Sequence, residues 1–197
     1  MRQTRNSLRS VKTLVTCALL ASISVVLARL IIPLPNETTR FSLEAVPIFV
    51  AGMLFGSVPG ALVGFVSDLV GCLFSAYGYN PIFCLPPMAY GLCAGLFRQY
   101  LVKKPTPWRI ALAFLPALLF VSVLWQSFAL ALVYGGEART AFFLTKLASR
   151  SVQFAITGVL DVAVVWLLIR SRVFSAAGLW PEPKTQATER RRPYDDP

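Results

Sequence analysis

The sequence predicts an all-α membrane protein: a six-helix transmembrane bundle with both termini cytoplasmic. Three observations carry this. Of the 197 residues, 56% are hydrophobic and only 14% charged, against ~25% charged in soluble domains. Mean hydropathy is +0.64. Basic residues outnumber acidic ones 19 to 9, and they cluster between apolar runs rather than inside them. In a soluble chain such an excess would point to nucleic acid; flanking apolar runs, it marks cytoplasmic loops.

Residues 13–33 supply about 20 apolar positions, enough for one crossing. The stretch exceeds the core of a cleaved signal peptide and no A-x-A site follows it. Residues 43–76 are too long for a single crossing and must break at Gly56-Ser57-Val58-Pro59-Gly60. That makes a hairpin of two short helices, 43–56 and 59–76, packed within protein. A fourth helix covers 82–101, entered through Pro81 and Pro86-Pro87. A fifth covers 108–134 with a kink at Pro116, and a sixth covers 140–170. Residues 1–12 form a basic cytoplasmic N-terminus, 13–170 the membrane domain, and 171–197 a disordered cytoplasmic tail rich in proline and arginine.

Six spans put both ends on one side. Arg2, Arg5, Arg9 and Lys12, then Arg98, Lys103, Lys104 and Arg109, then Arg170, Arg172, Lys184 and Arg190 to Arg192 all fall there. The opposite loops hold Arg40 and Arg139, with Arg29 close by. The positive-inside rule makes the basic side cytoplasmic.

No histidine is present, which removes Ser-His and Cys-His dyads, H-E-x-x-H zinc sites and histidine relays. A P-loop is also missing, as is any nucleophile with a base beside it, so the chain reads as neither an ATPase nor an enzyme, with no cofactor and no metal. Cys17, Cys72, Cys84 and Cys93 lie inside apolar runs and form no C-x-x-C pair. They read as small membrane-core residues rather than disulfide partners or ligands.

Charges inside membrane helices are costly and face a bundle interior or cavity. Here they are Arg29, Glu44, Asp68, Lys146, Arg150 and Asp161. Lys146 and Arg150 are one helical turn apart, and Gln153 shares nearly the same face. With Arg29 and Arg40 at the same level they make a cationic outer mouth for an anionic small ligand, unless nearby acids neutralise them. Phe41, Tyr77, Tyr79, Phe83, Trp125 and Tyr134 gather at that level, as an interfacial belt or as stacking surfaces. Gly52, Gly56, Gly60 and Gly64 recur every four positions, and Gly91 and Gly95 repeat the spacing, which lets helices approach closely. Ala18 and Ser22 form a small pair on the first helix, for internal packing or for docking a partner helix.

The run Arg40-Phe41-Ser42-Leu43-Glu44-Ala45-Val46-Pro47-Ile48, then Ala51-Gly52-Met53-Leu54-Phe55-Gly56, then Gly60-Ala61-Leu62-Val63-Gly64 and Ser67-Asp68-Leu69, resembles the S components of energy-coupling factor (ECF) vitamin transporters, folate-specific branch. The basic sixth helix is similar to that branch too, and the resemblance spans residues 13–170. It implies a six-helix bundle with an outward cavity, no chemistry, and a complex with a transmembrane coupling subunit and two ATPases in a bacterial plasma membrane. It also implies ligand contacts at Arg29, Arg40, Phe41, Trp125, Lys146 and Arg150; Tyr79, by its level, and Gln153, by its helix face, join them as candidate ligand contacts. The family's helix-docking motif falls on Ala18 and Ser22, with serine in place of the second alanine. Leu43-Glu44-Ala45 replaces a segment rich in phenylalanine and glycine. Pantothenate, a pyrimidine precursor or a queuosine precursor are alternative ligands, and a rod-shape-type membrane scaffold is the alternative class.

Overall fold

A computed structural model of the chain describes residues 10–29, 32–33, 40–41, 43–74 and 80–180. Helix α1 spans Val11–Arg29, α2 Ala45–Phe55, α3 Ser57–Leu73, α4 Leu85–Leu96, α5 Arg98–Lys103 and α6 Pro107–Pro116. A π-helical segment, Ala117–Trp125, continues α6 into α7, Gln126–Tyr134. The long α8 runs Arg139–Arg170 and a short α9 Val173–Ala176. The one strand pairing among the described residues is a two-residue antiparallel ribbon in the connection between α1 and α2. It pairs Ile32 with Phe41 and Pro33 with Arg40.

Three helical stretches are long and apolar enough to cross a membrane: Val11–Ala28, Pro107–Tyr134 and Arg139–Arg170. Ala45–Phe55, Ser57–Leu73 and Pro81–Leu96 are shorter apolar stretches. The outward face of α1 carries Val11, Leu14, Val15, Leu19, Ile23 and Val26, all exposed. Water would penalise such a stripe; lipid would not.

Every residue of α2 is buried. A helix apolar on all sides belongs at the centre, and α2 is wrapped by α1, α3, α4 and α8. At 11 residues it is about 16 Å long, half a hydrocarbon core. The break expected after it is there: Gly56 has φ 109°, which only glycine adopts without strain, and α3 starts at the next residue.

The glycine repeat holds α2, α3 and α4 backbone against backbone. A Cβ on Gly52 would strike the Gly91 carbonyl oxygen, one on Gly91 the Gly60 carbonyl, and one on Gly64 the Pro87 carbonyl. A second half, α6, the π segment and α7, packs antiparallel along α8. Phe49 of α2 stacks on Phe114 of α6 with ring centroids 3.9 Å apart, and so joins the halves.

The π segment starts directly after Pro116. Proline lacks an N–H and its ring crowds the carbonyl one turn back, and here the helix continues wider instead of ending. Two expected boundaries shift. The fourth helix is divided, with a 3₁₀ turn at Pro81–Phe83 before it and α5 after it. Proline and arginine content predicts disorder from residue 171, yet the first part of this region is ordered, with α9 at Val173–Ala176. Lys12 Nζ donates to the carbonyls of Ala177 and Gly178, each at 3.3 Å, and Phe174 is buried. Two apolar residues beyond α9, Leu179 and Trp180, pack against the core. The tail beyond residue 180 lies outside the described residues.

Candidate functional site

A cavity of about 340 Å³ opens where the two halves meet, within the ~300–1,000 Å³ range of small-molecule sites. Its wall draws on six α-helices, the π segment and the 3₁₀ turn: Ala28 of α1, Ala45 and Ile48 of α2 with Glu44 before it, Asp68 of α3, Phe83 of the turn, Pro86, Pro87 and Tyr90 of α4, Ser122 of the π segment, Gln126 of α7, and Arg150, Gln153, Phe154 and Thr157 of α8.

Helix α8 builds its side by spacing alone. Positions 150, 153, 154 and 157 recur at three and four residues and share one face. Arg150 leans over Phe154, its guanidinium carbon 5.8 Å from the ring centroid. It pairs with no acid among the described residues. The Thr157 hydroxyl is spent on the Gln153 carbonyl at 2.9 Å, which hides its polarity in an apolar setting. One turn further, Asp161 continues the same stripe beneath the cavity; it is 3% exposed and its Oδ1 has no partner among the described residues.

Opposite α8, carboxylates line the wall. The Cys84 thiol donates to the Asp68 carboxylate, while Oδ2 of Asp68 is withdrawn from solvent and unpartnered among the described residues. At the deep end the Tyr90 hydroxyl and Ser122 Oγ lie 2.8 Å apart. The backbone carbonyl of Glu44 accepts from Ser24 Oγ at 2.8 Å, which fixes the entry to α2.

The structure brings Arg150 and Gln153 together in the cavity. Lys146, one turn earlier, is not in the wall; its ammonium lies 5.4 Å from the Phe142 centroid. Trp125 is not in the wall either. Its Nε1–H donates to the Ile82 carbonyl at 3.1 Å, and so steadies the turn that presents Phe83. Arg29 ends α1, and Arg40 and Phe41 form the second strand of the ribbon, which runs against α8; their side chains lie outside the described set. Tyr79 lies outside the described residues. Ala18 and Ser22 sit on the exposed face of α1, with Ser22 Oγ bonded to the Ala18 carbonyl at 3.0 Å.

Tyr90, Ser122, Gln126, Phe154 and Thr157 were not foreseen. Phe154 and Thr157 were readable from the Arg150 stripe by helical spacing. Tyr90 and Ser122 carried no local signal, since only the packing of α4 on the π segment brings them together. Among the described residues no group of three His, Cys, Asp or Glu could hold a metal, and Cys17, Cys72, Cys84 and Cys93 form no disulfide.

Helices with apolar outer faces around an open cavity with polar donors and acceptors define a membrane-type small-molecule binding protein. The sequence profile of the ECF-type riboflavin transporter S component matches residues 8–171. The chain belongs to this family and is the S component of an ECF transporter. A curated relative, the folate transporter FolT of Clostridium novyi (strain NT), is 24% identical over 150 residues, covering 76% of this chain and 85% of its own length. A UPF0397 protein of Streptococcus pneumoniae (strain CGSP14) is 27% identical over 119 residues, covering 59% of this chain and 65% of its own. Among solved structures, FolT bound with folic acid superposes with a TM-score of 0.65 at 26% identity, covering 80% of this chain and 94% of that one.

Proposed function

We propose that this S component captures folate, or a closely related pterin, from outside the cell and delivers it to a coupling subunit and two ATPases in a bacterial plasma membrane. In this reading six apolar segments cross the bilayer and both termini are cytoplasmic, in keeping with the positive-inside count. Arg29, Arg40, Phe41 and Tyr79 complete the mouth, and Ala18 with Ser22 meets the coupling subunit. Their exposure on α1 supports that docking role.

The observation that carries the reading is Arg150 in the cavity wall, with no acid paired to it among the described residues and with aromatic Phe83 and Phe154 in the same wall. A guanidinium suits a ligand carboxylate, and the rings suit a flat head. The FolT relative and the folic acid-bound FolT structure support the same ligand. Riboflavin, the ligand in the family's name, is the second reading. Riboflavin is uncharged at neutral pH and would leave Arg150 without a counter-charge.

The test is equilibrium binding on the purified chain with folic acid, riboflavin and pantothenate in parallel. Folic acid should bind most tightly. Arg150→Ala should weaken it by roughly 10- to 150-fold, since bonds to charged groups contribute about 1.5–3 kcal/mol. Tighter binding of riboflavin, or an Arg150→Ala variant with unchanged folate affinity, would overturn the proposal.

A further inference from the structure

Resting on the folate reading, we propose that Asp68 is a specificity-determining residue of the cavity: its carboxylate receives the donor edge of the ligand's ring, a ring N–H flanked by an exocyclic amine. Asp68 contributes to the wall, and one of its oxygens is already satisfied by the Cys84 thiol. The other, Oδ2, is buried and has no donor among the described residues. An acceptor left bare in an apolar setting is costly, so the site is one donor short until a ligand arrives.

Among the described residues, none supplies that donor from across the cavity. Asp68 stands on α3, which packs on α1, α2 and α4; Arg150 stands on α8, which packs mainly on α6, the π segment and α7. Arg150 is turned onto Phe154 and forms no ion pair with Asp68. The wall therefore offers a cation on one half and a bare acceptor on the other. A ligand that fits must be polar in two opposite senses, with a carboxylate toward α8 and N–H donors toward α3. An acid without a donor edge satisfies only half of this wall. A pteridine carrying a 2-amino group beside a ring N–H satisfies both, and two parallel N–H···O bonds to one carboxylate fix its orientation.

The experiment compares folic acid with its 2-desamino analogue on the purified full chain, wild type and Asp68→Asn. Wild type should prefer folic acid at least tenfold. Asp68→Asn should weaken folic acid at least tenfold and bring the two ligands within about twofold of each other. Equal affinities on wild type would overturn the inference. So would an Asp68→Asn loss of the same size for both ligands, because that is what a packing role produces. The wild-type comparison needs no variant and decides the matter even if Asp68→Asn does not fold. Wild-type protein that binds riboflavin and not folic acid removes the folate reading itself, a result distinct from folate binding without discrimination.

Discussion

The Tyr90 hydroxyl and Ser122 Oγ lie 2.8 Å apart and tie α4 to the π segment at the cavity wall. Each is buried, Ser122 to 1% exposure, so neither has water to fall back on. Tyr90→Phe removes one partner and strands the other. The expected cost is about 1–3 kcal/mol, read as a lower melting temperature in detergent.

Ser127, on the neighbouring α7, gives the opposite case. It is 0% exposed and its Oγ has no partner among the described residues. Ser127→Ala deletes an unsatisfied hydroxyl at almost no change in volume. The variant should melt at or above the wild-type temperature, within about 1 kcal/mol. A clear fall would mean that the hydroxyl has a partner in the membrane.

Glycine substitutions should divide sharply by position. A Cβ at Gly91 would sit against the Gly60 carbonyl, and neither backbone can yield without parting α3 from α4. Gly91→Ala should cost ~1–3 kcal/mol or more, the range for overpacking, and should lower the yield of folded protein. A Cβ at Gly71 would meet nothing within 4 Å among the described residues. Gly71→Ala should be neutral or stabilising, by up to ~1 kcal/mol, because alanine is the better helix former. Parallel melts of the two variants check the pair.

These contrasts show which parts of the molecule the sequence made readable. Apolar runs bounded by basic loops located every membrane-capable stretch, because burial in lipid demands length and hydrophobicity that only sequence can supply. The break at Gly56 was readable because proline and glycine act locally. The glycine repeat announced close packing, and the structure shows which backbones it brings together. The π segment was not readable: Pro116 marks a disturbance, but whether a helix kinks or widens depends on what packs around it. The same holds for Phe174, which is buried while Lys12, far away in sequence, bonds the turn after α9. At the site, Arg150 and Gln153 followed from charge and spacing. Trp125 was assigned to the ligand because it is aromatic and at the right depth, yet its N–H is committed to Ile82. Two atoms from distant helices, as in Tyr90 and Ser122, leave no pattern in one dimension.

Trp125 should therefore act on binding through the turn it steadies. Trp125→Phe keeps most of the apolar surface and loses the bond to the Ile82 carbonyl. Such a bond is worth about 0.5–1.5 kcal/mol, so folate affinity should fall severalfold at most. The larger change should be in stability, read by melting in the absence of ligand.

Lys146 and Arg150 share a helix face and differ in what they face. Arg150 is in the cavity wall; Lys146, one turn nearer the start of α8, lies over Phe142 outside it. If both acted only by raising the local positive potential, neutralising either would weaken an anionic ligand about equally. A contact role predicts inequality. Arg150→Gln removes the donors that reach a ligand carboxylate and should weaken folate by more than ~10-fold, in line with the worth of charged hydrogen bonds. Lys146→Gln alters a more distant, partly exposed charge and should stay within ~3-fold, as expected for a charge that makes no contact with the ligand. Repeating both titrations at high salt separates the effects. The Lys146 difference should fade with ionic strength, and the Arg150 difference should persist, because a contact inside the cavity is screened far less.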